Sequence, residues 1–378
     1  VSRVSLTNIV NLMQPRTPKI AIVSHSLADG GAERVAAQQS IFLSDDGFEV
    51  HNIILVDVVA YPYKGALLNL GKLGNSGWLV PIRKALKLQS YLRREKIDIV
   101  IDHRARGGFF REFIFAGVYS TLRCVFVVHS ADLRRYFPGL KWLARMRYKN
   151  HKLVAVSAAI STKIATQYGL SSTVIYNPAV ADNEEGSVAP QGKYVLYFGR
   201  LDNAVKNLTF LMDAYAKSKI YLKGYRLILM GNGPDQNYLG RYAEEAGIAA
   251  HIDFIPFCKH TRRTIQAARF TVLTSRFEGF PMSVVESLMY GTPVVAVDCE
   301  SGPRELIRNG ENGLLVPNDD VEKLAESFKI FVNDDELYHI CKTNAPSSVA
   351  HLSVENTVKR WKQILLPRES VPPSRMSD

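Results

Sequence analysis

From residue 19 onward, short apolar runs rich in β-branched residues alternate with longer helical stretches. "KIAIVS" reads as a strand, a Gly-Gly turn follows, and "AERVAAQQSIFLS" reads as a helix closed by Gly47. The series continues with "VHNIILV", the helical "PIRKALKLQSYLRREK", "IDIVID", "CVFVVHS", "KLVAVS" and "TVIYNP". Runs that are apolar at every position need cover on both faces, which a parallel sheet between helix layers provides. The first half is therefore expected to be doubly wound α/β.

The stretch "AVADNEEGSVAPQGK", 179–193, is polar, contains Gly and Pro, and reads as a linker. Beyond it the pattern restarts with "KYVLYFGR", a helix from about Asn207, "YRLILMGNGP", a helix, "HIDFIPF", "FTVLTS", a helix beginning near Ser283, "PVVAVD" and "GLLVP". Residues 320–331 and 353–365 read as closing helices and "PRESVPPSRMSD" as a frayed tail. The chain's 378 residues, 47% of them hydrophobic, suffice for two cores of ordinary size. Two such domains set the carboxyl ends of two parallel sheets on one cleft, and ligands of these sheets bind outside those ends.

No apolar run reaches the roughly 18 residues of a membrane-spanning helix, and the start lacks a signal-peptide core, so a soluble intracellular protein is expected. Cys124, Cys258, Cys299 and Cys341 are far apart, which supports neither a disulfide framework nor a structural zinc site. The net charge of +11 is uneven: residues 1–180 hold 24 Lys and Arg against 11 Asp and Glu, the remainder 23 against 25. A basic first half suits an anionic partner, although solubility alone is the plainer explanation. No nucleic-acid reading motif is present, so nucleic acid is not the expected partner.

The chemistry-bearing residues fall at strand ends. "SRFEGFPMSVVESLMYGTPVVA" places Glu278 on a loop before a helix and Glu286 about one turn inside it, with Gly279, Phe280, Pro281, Met282 and Ser283 between. The start of that helix, with unpaired N–H groups and a partial positive charge, is a ready diphosphate site. The two glutamates read as an acid/base pair, as metal ligands, or as ordinary helix residues until their surroundings are known. "FGRLDNAVKN" brings Arg200 and Lys206 to a strand-to-helix crossover, where two cations can neutralise a leaving diphosphate without a metal. Gly231 and Gly233 of "MGNGPD" make either a ligand loop or a plain turn, and Ser301 and Gly302 of "ESGPREL" leave the same choice.

In combination and in order, "SLADGGAERV", "VVHS", "VAVS", "YFGRLD", "LILMGNGP", "FEGFPMSVVESLMYGTPVVA" and "SGPRELI" resemble a retaining GT-B glycosyltransferase of family 4, of the bacterial cell-surface glycan type, over roughly residues 18–365. The resemblance implies two Rossmann-like domains facing across a cleft. Residues 1–180 would bind the acceptor, 181–350 the nucleotide sugar, and 351–378 would form a C-terminal helix packing back on the first domain, plus a tail. It implies that Glu286 binds the ribose, that Glu278 lies by the donor sugar and that Arg200 and Lys206 hold the diphosphate. Gly30 and Gly31 would approach the donor from the first domain, and His129 would hydrogen-bond a donor-sugar hydroxyl. His103, Arg104 and Arg106, at another strand end, are the weaker candidates for the acceptor side.

The expected reaction is the metal-independent, retaining transfer of a hexose or N-acetylhexosamine from a UDP-sugar. The expected acceptor is a membrane-linked glycan of polysaccharide, lipopolysaccharide or glycoprotein synthesis. No cofactor is expected beyond the donor itself. "PIRKALKLQSYLRREK" and "LRRYFPGLKWLARMRYKN" mix cations with aromatic and aliphatic residues, which suits an anionic membrane surface and a peripheral place on the cytoplasmic face. Both also fit half-buried helices whose cations reach back to water. A UDP-sugar 2-epimerase of the same fold is the alternative.

Overall fold

The structure, a computed structural model, describes residues 16–28, 30–74, 76–106, 109–181, 189–258 and 260–366, without the side chains of 109–111 and 113. The first fifteen residues, the centre of the expected linker at 182–188 and the expected tail from 367 lie outside them. The chain divides into two compact units: one takes the residues up to Val127, Arg134–Leu153 and those from Val358 on, the other Val128–Leu133 and Val154–Thr357.

Seven strands form the first sheet: β1 (Ile20–Ser24), β2 (Val50–Ile54), β3 (Ala66–Asn69), β4 (Ile99–Asp102), β5 (Arg123–Val128), β6 (Lys152–Ala155) and β7 (Thr173–Val174). Their order is β3-β2-β1-β4-β5-β6-β7. Every residue of β1, β2 and β4 is buried, as expected of strands covered on both sides. The helices are α1 (Gly31–Asp45), α2 (Val80–Arg94), α3 (Phe109–Val118), α4 (Lys141–Tyr148) and α5 (Ala158–Tyr168). On α1, Val35, Ala36, Gln39, Phe42 and Leu43 recur at helical spacing and form its buried face.

The second sheet holds β8 (Lys193–Phe198), β9 (Tyr225–Met230), β10 (Ile252–Ile255), β11 (Thr271–Leu273), β12 (Val294–Val297) and β13 (Gly313–Val316), ordered β10-β9-β8-β11-β12-β13 with every neighbouring pair parallel. Consecutive residues of β8 show why the strands read as unbroken apolar runs. Val195 and Tyr197 enter the core under one helix layer with Leu208, Tyr215 and Phe328, while Tyr194 and Leu196 enter the opposite one with Ile265. Around this sheet lie α6 (Asn203–Lys206), α7 (Leu208–Ser218), α8 (Gln236–Glu245), α9 (Arg262–Ala267), α10 (Met282–Met289), α11 (Pro303–Leu306), α12 (Val321–Asn333) and α13 (Asp335–Ser348).

Both sheets run outward from a first strand, β1 or β8, in opposite directions. The topological switch therefore falls between β1 and β4 in one and between β8 and β11 in the other. The last helix, α14 (Val354–Leu365), ends against the first unit, where the Arg123 guanidinium donates to the carbonyls of Ile364 and Leu365 and Lys362 pairs with Asp46 at 3.0 Å.

Candidate active site

The switch between β8 and β11 gathers the second unit's candidate residues. Past β8 the chain turns through Gly199 and Arg200 into α6, which Asp202 caps by accepting from the Val205 N–H. Asn207, in the left-handed region at φ 52°, stops α6 after one turn and starts α7 in a new direction. The end of β11 secures this crossover: the Thr274 hydroxyl donates to the Lys206 carbonyl at 2.9 Å, and the Arg276 N–H donates to the Val205 carbonyl at 2.9 Å. Lys206 Nζ consequently reaches Glu278 Oε1 at 2.7 Å, with the two side chains 22% and 12% exposed. Arg200, on the rim, is 61% exposed and lies 3.3 Å from Asp202.

Backbone packing explains the glycines. A Cβ on Gly279 would stand 1.8 Å from the His129 carbonyl oxygen, so only glycine lets the 278–281 loop lie against the end of β5. Phe280 is buried and stacks on Tyr176 at 5.1 Å between ring centroids, 28° from parallel. Pro281 then caps α10, whose first residues Met282 and Ser283 are half-buried and whose Glu286 is 5% exposed. The Ser301 hydroxyl donates to the Glu278 carbonyl. Gly302, at φ 99°, packs so tightly that a Cβ would sit 2.5 Å from Pro281 Cδ. Gly231 and Gly233 lie against the backbone of 199–201, with a Cβ at either meeting Gly199 O or Leu201 O at 1.8 and 2.2 Å. These two glycines let the 231–233 segment pack against the Arg200 turn.

Beside Glu278, burial pushes the Cys299 thiol up to about 12, the Glu278 charge adding to the effect. His129 is half-buried at the end of β5, its carbonyl on Gly279. Among the described residues no three His, Cys, Asp or Glu side chains gather in a way that could hold a metal ion.

Gly30 and Gly31 belong to the first unit, where they open α1 with Gly30 extended at φ −147°. His103, Arg104 and Arg106 are also in that unit and are 2%, 7% and 4% exposed. His103 Nε2 meets Gln39 Oε1 at 2.6 Å, and burial, reinforced by the Arg106 charge, pushes its pKa down to about 3. Arg104 grips Asp102 with two nitrogens and lies 3.8 Å over the Phe115 ring. Arg106 donates to the Asp102 and Arg104 carbonyls beneath the rings of Phe126, Tyr136 and Tyr148. These weak acceptor-side candidates form an internal brace: Asp102 at the end of β4 is wholly buried and needs these cations.

Sequence reasoning passed over Asp202, Thr274, Arg276 and Tyr176, which hold the site residues in place. Asp202 is a local helix cap that the sequence could have shown, whereas the partners of Thr274, Arg276 and Tyr176 lie far away along the chain and no local motif announces them.

Two family models cover most of the chain: "Glycosyltransferase Family 4" matches residues 29–182 and "Glycosyl transferases group 1" matches 181–348. The chain belongs to the family 4 glycosyltransferases. A Campylobacter jejuni N-acetylgalactosamine-N,N'-diacetylbacillosaminyl-diphospho-undecaprenol 4-alpha-N-acetylgalactosaminyltransferase is 27% identical over 86% of this chain and 93% of its own length. A Streptomyces coelicolor exopolysaccharide phosphotransferase is 31% identical over 46% of this chain, a match spanning only 19% of that relative. Among solved structures, S. aureus TarM, crystallised with Fondaparinux, alpha-GlcNAc-glycerol and UDP, superposes with a TM-score of 0.77 at 13% identity, covering 93% of this chain and all of TarM. This likeness shows the GT-B fold of the family.

Proposed function

We propose that this family 4 chain transfers a hexose or N-acetylhexosamine from a UDP-sugar to a membrane-linked glycan, retaining the anomeric configuration and without a metal ion. The observation that carries the reading is the Lys206–Glu278 pair at the switch between β8 and β11, directly before the start of α10. A nucleoside diphosphate laid there meets a cation, Lys206, and the first-turn amides of α10, and the exposed Arg200 would exchange Asp202 for the phosphate. Glu286 on α10 would accept from the ribose hydroxyls and Glu278 would lie by the sugar. Held on the ribose, Glu286 is then not available as a nucleophile, and the acceptor hydroxyl would attack from the leaving-group side and give its proton to the β-phosphate. The cations and the α10 terminus offset the charge that grows on the departing diphosphate.

For the acceptor, the first unit exposes apolar residues among cations. Leu140, Trp142 and Met146 stand out beside Lys141 and Arg145, and Trp78, Leu79, Ile82 and Leu86 beside Arg83 and Lys87. Aromatic and aliphatic side chains ringed by cations suit the anionic cytoplasmic leaflet, where a lipid-linked acceptor would lie. No described helix is long and apolar enough to cross a membrane. The relatives and family models found lend no support to a 2-epimerase.

A donor screen tests the reading: thermal stabilisation and slow hydrolysis with UDP-GalNAc, UDP-GlcNAc, UDP-Gal, UDP-Glc and GDP-Man, with and without EDTA. A ligand at about a hundred times its Kd stabilises by roughly 2.7 kcal/mol. A shift with one or more UDP-sugars, indifferent to EDTA, is expected. A response to GDP-Man alone removes the UDP reading, and turnover lost in EDTA and restored by Mg²⁺ removes the metal-independent one.

A further inference from the structure

The four N–H groups that open α5 are all occupied. Ser161 N makes the first bond of the helical ladder, to the Ser157 carbonyl, and Ile160 N donates to the Ser157 hydroxyl, the usual local cap. The first two amides go elsewhere: Ala158 N donates to Glu305 Oε2 at 2.7 Å and Ala159 N to Glu305 Oε1 at 3.0 Å. A carboxylate spread over two amides at a helix N-terminus makes charge-assisted bonds along the dipole, and its two oxygens fix direction as well as distance. An acid inside α5 itself could have served the helix equally well. This one comes from α11, three residues after Gly302, on the loop that presses on the candidate site.

That loop has two grips on the site: the Ser301 hydroxyl donates to the Glu278 carbonyl, and Gly302 packs against Pro281. It has two ties to α5, Glu305 at the helix start and an ion pair between Glu300 and Lys163 at 2.5 Å. The second is the weaker, since Glu300 is 58% exposed and water screens it. We propose that Glu305 is a positioning residue for sugar transfer: anchored on α5, it holds the 298–302 loop and through it sets Glu278 and Pro281 against the donor. The proposal rests on the donor-site reading above. Glu305 touches no reacting atom and acts through the Ser301 and Gly302 contacts.

The test compares Glu305→Gln with Glu300→Gln in the full chain. Gln keeps the shape of Glu305 but turns an NH₂ toward one amide, so one bond is lost and the fork is released. In Glu305→Gln, kcat should fall about ten- to a hundredfold, the range that misplacement of a reacting group produces, with a smaller change in donor KM. Hydrogen exchange should rise in peptides covering 157–160 and 276–282 and stay unchanged in β8 and β9. Glu300→Gln should behave as wild type. Unchanged kcat in Glu305→Gln beside an active wild type overturns the proposal. So does a uniform rise in exchange, which marks a purely structural cap, and so do equal losses in both variants. If the wild type itself turns over no nucleotide sugar, the donor-site reading falls, and exchange in 276–282 still decides the coupling: protection unchanged by Glu305→Gln refutes it.

Discussion

Lys206 Nζ and Glu278 Oε1 lie 2.7 Å apart at the switch between β8 and β11, so the cation assigned to the diphosphate is already held by the carboxylate assigned to the sugar. A diphosphate entering the site must share Lys206 with Glu278. Glu278→Gln should therefore tighten UDP itself by on the order of 1 kcal/mol, about fivefold, while lowering kcat with the UDP-sugar. Lys206→Ala should lose about 10²- to 10³-fold in kcat, and the double variant should be hardly worse than Lys206→Ala alone. Calorimetric titration of UDP into Glu278→Gln checks the first part, and weaker binding there would dismiss the sharing of Lys206.

Glu286 is 5% exposed on α10, where a lost acceptor cannot be made good by bulk water. Hydrogen bonds to a charged group contribute about 1.5–3 kcal/mol, so Glu286→Gln should weaken UDP-sugar binding roughly ten- to a hundredfold. A loss confined to kcat, with the dissociation constant unmoved, would return Glu286 to the reacting centre.

Gly279→Ala would drive a methyl group to 1.8 Å from the His129 carbonyl oxygen, a backbone atom with no rotamer to escape into. The 278–281 loop must then lift. Cost on the order of 1–3 kcal/mol is expected, seen as a lower Tm together with loss of the Glu278–Lys206 geometry and of most activity. Full activity at unchanged Tm would show that the loop does not need this close approach.

His103 should make the first unit sensitive to acid. Its folded pKa, about 3, lies below the unfolded value of 6.5, so between the two only the unfolded chain takes up the proton. Stability is then complete above about pH 6.5 and falls as pH drops toward 3, by up to about 1.4 kcal/mol per pH unit. The stability advantage of wild type over His103→Gln in denaturant titrations should shrink by about 1.6 kcal/mol between pH 6.5 and 5. Parallel curves would mean that His103 is protonated in the fold.

Trp142, 63% exposed beside Lys141 and Arg145, gives the membrane reading a single-residue test. The protein should float with vesicles rich in anionic lipid at low salt, and Trp142→Glu should reduce the bound fraction about tenfold. Flotation that ignores both the substitution and the lipid charge would leave α4 an ordinary surface helix.

Physical signals of very different reach decide what could be read from the chain. Strands such as "IAIVS" and "KYVLYF" were legible because burial on both faces leaves an apolar residue at nearly every position. β3, an edge strand with one buried residue in four, carries no such mark and went unseen, as did α13, where Pro346 and a polar surface obscure the helical period. Lys206 and Glu278 could be singled out because they stand at strand ends, yet their contact spans 72 positions and is made by Thr274 and Arg276 tying down α6. The glycines of "GNGP" read as a ligand loop or as a plain turn. Only the distances to Gly199 O and Leu201 O show what space they must leave. Buried charge was the least legible: nothing in "IDHRARGG" says that Asp102 draws both arginines inward.

Arg123 on β5 closes on carbonyls 241 and 242 residues further along, at the end of α14. On a ribosome adding roughly 5 to 20 residues per second, that guanidinium has no partner for on the order of ten to fifty seconds after it emerges. The first unit must wait, unfinished, while the whole of the second is being made.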